Sequence, residues 1–277
     1  MVGYGNIVVG YGNIGYGNTY SRTPKEEEKP KKDKPEKDNS ESVIETLCNE
    51  AGYTRENLEG TELEAKIDIE SRRGLAFKEM PPLWGEIDFP APYSLDKILG
   101  GSEAIHECYG YISGKGIVTE AFTKVRKGGK TKIKIKGKTT YLNEKGIFIL
   151  RRDEEHKMDM TSQEIMTFIA KEARTHDLPL EYIGSFHKKS EEAFVFNPVS
   201  GRIFVLAKNM CTSESRKSLY QLEVEYYGRI NGYKKSGDIR EEAAFLAQAM
   251  IKDVSRLGYT GKTSKLTKFE WMAGNAG

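Results

Sequence analysis

Cysteine is scarce in this chain: Cys48, Cys108 and Cys211 are odd in number and stand far apart. Such a set predicts neither a disulfide framework nor a thiolate zinc site, and it is typical of a reducing compartment, so we expect a cytoplasmic protein. The four histidines also lack the spacing of metal ligands. No apolar run approaches about 18 residues, so no transmembrane helix is expected. No apolar segment follows a charged start, so no signal peptide is expected either.

An excess of one sign of charge is missing as well. The 277 residues include 43 basic and 41 acidic side chains, a formal net charge of +2. This balance argues against a nonspecific nucleic-acid coat protein, so any recognition of phosphate must be local. There is no Gly-x-x-x-x-Gly-Lys-Ser/Thr loop for nucleotide binding, and the glycines at 114–116 and 128–129 are interpreted as turns.

The first 41 residues have little to bury in a core. Gly-Tyr-Gly-Asn repeats at 3–6, 10–13 and 15–18, and residues 21–41 alternate charges of both signs with prolines. We therefore predict a disordered tail and linker over 1–41, followed by one folded domain over 42–277. The alternative is a tyrosine-bearing arm that self-associates or binds a protein partner.

Hairpins dominate the predicted secondary structure. Capping boxes at Ser42–Glu45 and Thr161–Glu164 start two helices, and another helix runs from Asp238 to a stop at Gly258. The segment 79–101 is interpreted as a loop, with a further helix near 94–107. Strands are predicted at 61–70, 117–127, 130–138, 139–142, 147–153, 181–188, 192–197, 202–208 and 219–228. These elements indicate an α+β fold in which an eight-stranded antiparallel barrel has helices packed outside.

Two of these strands carry acids in strict alternation. In Thr61–Glu70 the apolar residues Leu63, Ala65, Ile67 and Ile69 alternate with a charged row, and Gln221–Tyr226 repeats the device. Successive side chains of a strand point to opposite faces, so each strand has a row of carboxylates against an apolar row. Two such rows facing each other would form a site for divalent metal ions. The charged rows are Glu62, Glu64, Lys66, Asp68 and Glu70 on the first strand and Glu223 and Glu225 on the second.

Basic residues alternate on the strands between these two. Alternating lysines usually mark a solvated face of an antiparallel sheet. In a closed barrel whose apolar rows are covered by helices, however, the charged rows would line the lumen, where acids and cations together suit a polyphosphate with Mg²⁺ or Mn²⁺. One ion would neutralise the phosphate chain and a second would activate water. The basic candidates are Lys124, Arg126, Lys130, Lys132, Lys134, Lys136, Arg151, Arg152, His187 or Lys188, Arg202 and Lys208.

The chain resembles the CYTH superfamily, the triphosphate tunnel metalloenzymes. Residues 62–66 match the Glu-x-Glu-x-Lys signature of that family, and the features at 122–126, 151–154, 222–225 and 258–259 follow in the family's order. The resemblance implies an eight-stranded antiparallel tunnel with a polar interior. It further implies metal binding by Glu62, Glu64, Glu223 and Glu225, and phosphate binding by Lys66, Arg126, Lys134, Lys136 and Arg152.

Three functions remain open at this point. The first is a metal-dependent triphosphatase acting on tripolyphosphate, a nucleoside triphosphate or an RNA 5′ end, since the family includes inorganic, thiamine and RNA triphosphatases. The second is a class IV type adenylate cyclase on the same scaffold. The third is a non-catalytic module that binds polyphosphate or RNA, because a fold alone does not fix a function. No membrane partner is expected.

Overall fold

The computed structural model describes residues 50–54, 61–72, 83, 87–112, 118–127, 130–141, 149–156, 164, 167, 180–234 and 237–274. The chain divides into two units, Met1–Ser40 and Glu41–Gly277. The first unit lies outside the described residues, so the predicted disordered tail and its boundary stay predictions.

Ten strands and two helices are described over their whole length within these ranges. The strands are β1 (Tyr53–Thr54), β2 (Thr61–Ser71), β3 (Ser94–Ile112), β4 (Val118–Lys127), β5 (Lys130–Tyr141), β6 (Ile149–His156), β7 (Leu180–Asn197), β8 (Arg202–Ser213), β9 (Ser218–Ile230) and β10 (Tyr259–Ser264). The helices are α1 (Ile239–Arg256) and α2 (Lys268–Ala273). None of the helices in this part of the chain is both long and apolar enough to cross a membrane.

All strands belong to one antiparallel sheet with the order β1-β9-β8-β7-β3-β4-β5-β6-β2-β10. Strand β2 pairs three times: Thr61–Glu64 with β6, Lys66–Ser71 with β10, and Glu64–Asp68 with β9. Because the last pairing overlaps the other two, β9 must lie on the opposite edge of β2. The predicted antiparallel sheet with few helices is confirmed.

The two faces of β2 have opposite surroundings. Leu63, Ala65 and Ile67 are buried in an apolar cluster that also contains Leu246 and Met250 of α1. The helix forms as the sequence predicts, with Asp238 as N-cap accepting a hydrogen bond from the backbone N–H of Arg240. Its apolar residues recur at helical spacing and cover β2, β9 and β10. The charged residues of β2 therefore lie on the face away from α1.

Several predicted elements differ from the observed ones. The helix expected near 94–107 is wrong, because those residues form β3, which pairs with β7 along almost its whole length. Irregular pairing between Ile98 and Gly101 accommodates Gly100 at φ +74°, so the glycines that suggested a loop lie within a bulged strand. The strands predicted at 130–138 and 139–142 join as β5, and those at 181–188 and 192–197 join as β7.

The early predicted helices fall mostly outside the described residues. At the end of the first, Glu50 and Ala51 are helical, and Gly52 follows with φ +71°, as expected of a terminating glycine. In the segment that begins at Thr161, the described residues Glu164 and Thr167 are helical. Strand β10 and helix α2 were not predicted.

Candidate functional site

A cavity of about 310 Å³ lies on the polar side of the sheet. Four glutamates line it, contributed by β2, β7 and β9: Glu64, Glu192, Glu223 and Glu225. Four lysines line it as well, contributed by β2, β5, β7 and α2: Lys66, Lys134, Lys188 and Lys268. His106, Phe186, Tyr227 and Phe269 add aromatic surface. The size is at the lower end of the range for small-molecule pockets, roughly 300–1,000 Å³.

The acids reach the cavity because of strand parity and register. Strands β2 and β9 both place their apolar residues under α1, so the residues between them face the other way. The pairing of the two strands sets Glu64 opposite Glu225 and Lys66 opposite Glu223. Directly opposed side chains on one face lie close together, so two acids and an acid–lysine pair form one continuous wall.

Lys66 is the central cation of this wall. Its side chain is 3% exposed and its ammonium donates a hydrogen bond to Glu64 Oε1. The same nitrogen lies 3.9 Å from Glu223 Oε1. A buried charge is tolerated only when it is paired, so the lysine of the Glu-x-Glu-x-Lys segment compensates acids on both strands.

Glu223 is held at both carboxylate oxygens. Lys268 donates to Oε1, and the side-chain amide of Asn209 donates to Oε2. The Asn209 Oδ1 in turn accepts a hydrogen bond of 2.7 Å from the Ser190 hydroxyl. Burial alone would raise the pKa of Glu223, but Lys268 and the other nearby lysines outweigh it and lower the pKa well below its usual range. Glu223 is therefore a fixed anion at neutral pH.

Lys188 and Lys268 respond differently to the same cavity. Burial and the nearby Lys268 ammonium lower the pKa of Lys188 to about 8. Burial also acts against the charge of Lys268, yet Glu223 outweighs it and raises the pKa of Lys268 above its ordinary value. The cavity thus contains one permanently charged lysine on α2 and one on β7 that titrates near neutral pH.

Only part of this donor set suits a divalent metal. Among the described residues, no three His, Cys, Asp or Glu side chains are grouped so that they could hold an ion. Glu64 and Glu225 are opposed carboxylates, and Mg²⁺ is commonly held by one or two carboxylates together with water and substrate phosphates. Glu223 is already engaged by Lys268 and Asn209. Glu64 is likewise contacted by Lys66 at Oε1, so an ion beside Glu64 and Glu225 would depend on water and substrate phosphate for most of its ligands.

Four of the predicted site residues have side chains outside the described part of the structure, although their strands are described. The backbone register of the sheet sets Glu62 opposite Arg151, Lys136 opposite Asp153, and Lys124 opposite Glu107 and Ile133. Arg152 pairs with Thr61. The roles predicted for these four residues, Glu62, Lys124, Lys136 and Arg152, therefore stay predictions.

Two predicted phosphate ligands, Arg202 and Lys208, lie away from the cavity. Arg202 is 1% exposed and pairs with Glu242 of α1, while Lys208 is 2% exposed and pairs with Glu191. On β8 it is Val205 and Ala207 that line the cavity, so residues of even number face the opposite side of the sheet. The structure therefore places Arg202 and Lys208 on the face of β8 away from the cavity and gives no support to their predicted binding of phosphate.

Arg126 also lies outside the cavity lining. Its guanidinium is 3.0 Å from a carboxylate oxygen of Glu107 on β3, and its side chain is half-exposed. Thr123 of the same strand lines the cavity, and Arg126, three positions further on, has the opposite strand parity, so its side chain faces away from the cavity.

Sequence reasoning missed Lys268, Glu192 and Asn209. A signal for the first was present, because Thr267 and Glu270 form a capping box that starts α2 and places Lys268 at its first position. The other two are indistinguishable in sequence from polar residues on a solvated strand.

Comparison with known proteins gives only structural likeness. No protein-family model matches the chain, and no curated protein does. The PH1819 protein from Pyrococcus horikoshii is 16% identical, with 77% of this chain and 99% of that chain covered and a TM-score of 0.43. The hypothetical protein NE1496 is 15% identical, with 60% and 76% covered and a TM-score of 0.23.

A third similar structure is the Pct1 RNA triphosphatase of S. pombe. It is 12% identical, with 78% of this chain and 87% of that chain covered and a TM-score of 0.29. At TM-scores this low the three likenesses carry no argument, so the case for a function rests on the cavity.

Proposed function

We propose that the cavity binds a triphosphate and that the chain hydrolyses it with the help of Mg²⁺ or Mn²⁺. The observation that carries this proposal is the buried wall of β2 and β9, where Glu64, Lys66, Glu223 and Glu225 meet inside a lined cavity. Burying several charges costs desolvation even when they are paired, so a wall of both signs that lines a cavity favours a role in binding a ligand that needs both. A polyphosphate with a divalent cation is such a ligand.

The proposal requires a sheet that closes on itself to form a tunnel. The pairing of β2 with β6 on one edge and with β9 on the other supports a sheet that closes on itself through eight strands. Closure would put the charged rows inside and the apolar rows under α1, in agreement with the burial of Leu63, Ala65 and Ile67.

The lysines would bind the phosphate chain. Lys66, Lys134, Lys188 and Lys268 approach the cavity from four different elements, so their ammonium groups can surround an elongated anion. Charge-assisted hydrogen bonds from such groups would stabilise the charge that develops on phosphate oxygens during hydrolysis. A divalent ion held by Glu64 and Glu225, with Glu62 and Glu223 as the other predicted acids, would polarise the phosphate and supply an activated water.

Substrate choice is the direct test of the proposal. Phosphate release should be measured from tripolyphosphate, a nucleoside triphosphate and 5′-triphosphorylated RNA, with Mg²⁺, with Mn²⁺ and with EDTA. We expect metal-dependent release from at least one of the three. Tight binding of all three without turnover under any metal condition would contradict hydrolysis.

A non-catalytic polyphosphate-binding module is the second candidate. The pairing of Glu64 with Lys66 and of Glu223 with Lys268 favours it, because cations of the chain itself neutralise acids that a hydrolase would use for metal. Binding without turnover in the assay above would support this function. A cyclase would instead form cyclic nucleotide and pyrophosphate from ATP.

Binding should weaken as pH rises through 8. Because the pKa of Lys188 lies at about 8, this lysine is charged below that pH and neutral above it. Loss of one charge-assisted hydrogen bond should lower the affinity for tripolyphosphate by roughly 10-fold. Calorimetric titrations of the wild type and of Lys188→Met on both sides of pH 8 check this. The variant should show a flatter profile, and an unchanged slope would assign the titration to another group.

A further inference from the structure

Helix α2 places Lys268 in the cavity from outside the sheet. The lysine follows the N-cap Thr267, and its ammonium contacts Glu223 on β9. The contact is made at Oε1, while Oε2 accepts from Asn209. Lys268 thus occupies a position beside an acid that the sequence analysis assigned to metal.

Apolar packing holds α2 in place in addition to this ion pair. Phe269, Trp271 and Met272 are buried with Phe186, and the Trp271 ring meets Phe186 edge-on with centroids 6.1 Å apart. The preceding turn is fixed by a 3.0 Å hydrogen bond from the Gln221 side chain to the Leu266 carbonyl. Since apolar packing already anchors the helix, the charge on Lys268 is available for another purpose.

Lys268 is part of the cavity lining. Its side chain is 19% exposed, compared with 3% for Lys66, which lies deeper in the wall. An ammonium has three donors, and within the described residues its hydrogen-bond acceptor is Glu223. Donors thus remain for a ligand in the cavity while the contact with Glu223 is kept.

Resting on the proposed function, we propose that Lys268 is a phosphate-binding residue that takes, at Glu223, the place of a second divalent ion. A metal in such a site bridges a carboxylate and a phosphate oxygen. Lys268 can make the same bridge with one donor to Glu223 and another to the phosphate chain. The site then needs one divalent ion, beside Glu64 and Glu225, and polyphosphate should bind measurably without metal.

Binding of inorganic tripolyphosphate to the full chain in EDTA tests this directly by calorimetry. Lys268→Gln should weaken binding by roughly 10- to 100-fold, the range of a lost charge-assisted hydrogen bond. Lys265→Gln, a change at an exposed lysine three positions earlier, should leave the affinity unchanged. Melting temperatures of both variants control for folding. Equal affinities of wild type and Lys268→Gln would overturn the proposal.

The double variant Lys268→Gln/Glu223→Gln separates phosphate binding from mere neutralisation of Glu223. It removes one charge of each sign, so a neutralising role predicts that wild-type affinity returns. Our proposal predicts that binding stays weak, because the donor to phosphate is still missing. Recovery of wild-type affinity would therefore contradict it.

Manganese binding gives a second readout that does not depend on turnover. Without Lys268 the Glu223 carboxylate loses its contact at Oε1, so Lys268→Gln should bind one more Mn²⁺ per chain than the wild type in an electron paramagnetic resonance titration. An unchanged number would count against the proposal.

If the wild type binds tripolyphosphate through Lys268 but releases no phosphate, hydrolysis fails and this inference stands. If phosphate release depends on the metal and Lys268→Gln binds tripolyphosphate as the wild type does, hydrolysis stands and this inference fails.

Discussion

Replacing Glu64 and Glu225 together by glutamine is expected to lower metal-dependent phosphate release by roughly 10²- to 10³-fold or more, the scale of losing one electrostatic stabiliser in an active site. Glutamine keeps the size of glutamate but lacks its charge, so the two opposed carboxylates that fit a divalent ion would be lost. The fold should survive, because Lys66 still has Glu223 at 3.9 Å as a charged neighbour. Initial rates of phosphate release with Mn²⁺ measure the effect.

Glu70→Gln is the matched control. Glu70 belongs to the same strand and the same charged row, but its side chain is 63% exposed and its partner Lys262 is equally exposed. We expect wild-type rates from it. Equal rates for Glu70→Gln and the double variant, at matched melting temperatures, would remove Glu64 and Glu225 from the reaction.

Replacing Arg202 by methionine is expected to destabilise the fold by about 3–5 kcal/mol, the usual cost of breaking a buried ion pair. Its partner Glu242 would be left without a cation while still accepting hydrogen bonds from Tyr93, Asn197 and Ser200. This cluster joins α1 to the turn between β7 and β8. Denaturant unfolding measures the loss as a change in the free energy of unfolding.

Arg240→Met provides the contrast. Arg240 also pairs with an acid, Asp238, but its side chain is 54% exposed, so the unfolding midpoint should hardly move. Below its unfolding transition, Arg202→Met should bind tripolyphosphate as the wild type does. A large loss of affinity in the folded variant would return Arg202 to the phosphate-binding set.

The sequence predicts the buried face best on strands whose residues alternate between apolar and polar. On β2 and β9, Leu63, Ala65, Leu222 and Val224 indicate which side faces the core, so the wall that contains Glu64 and Glu223 could be inferred before any coordinates. The pairing of Glu64 with Glu225 could not be inferred, because register between strands distant in sequence leaves no local signal.

Strand β8 shows why the basic residues of the site were harder to predict than the acidic ones. Nearly all of its residues are buried, on both faces of the sheet. Arg202 and Lys208 lie on the face of β8 away from the cavity, where Glu242 of α1 and Glu191 of β7 compensate them. Those acids come from other elements, so the residues that neutralise a buried arginine or lysine are not visible in the strand's own sequence. A basic residue on a strand buried on both sides cannot be assigned to a ligand by pattern alone.

Lys268 is the opposite case, a basic residue that lines the site but was not predicted to do so. It follows the last long helix in a short segment with little periodicity, yet α2 brings it against Glu223 through the packing of Phe269, Trp271 and Met272. The missed strand β3 has a similar cause, since long-range pairing with β7 outweighs its local glycine content.

The most direct measurement is a crystal structure of the full chain with Mn²⁺ and tripolyphosphate. Our account predicts the phosphate chain among Lys66, Lys134, Lys188 and Lys268, and an anomalous manganese signal beside Glu64 and Glu225. Tripolyphosphate bound elsewhere on the protein, with the cavity empty at saturating ligand, would contradict it.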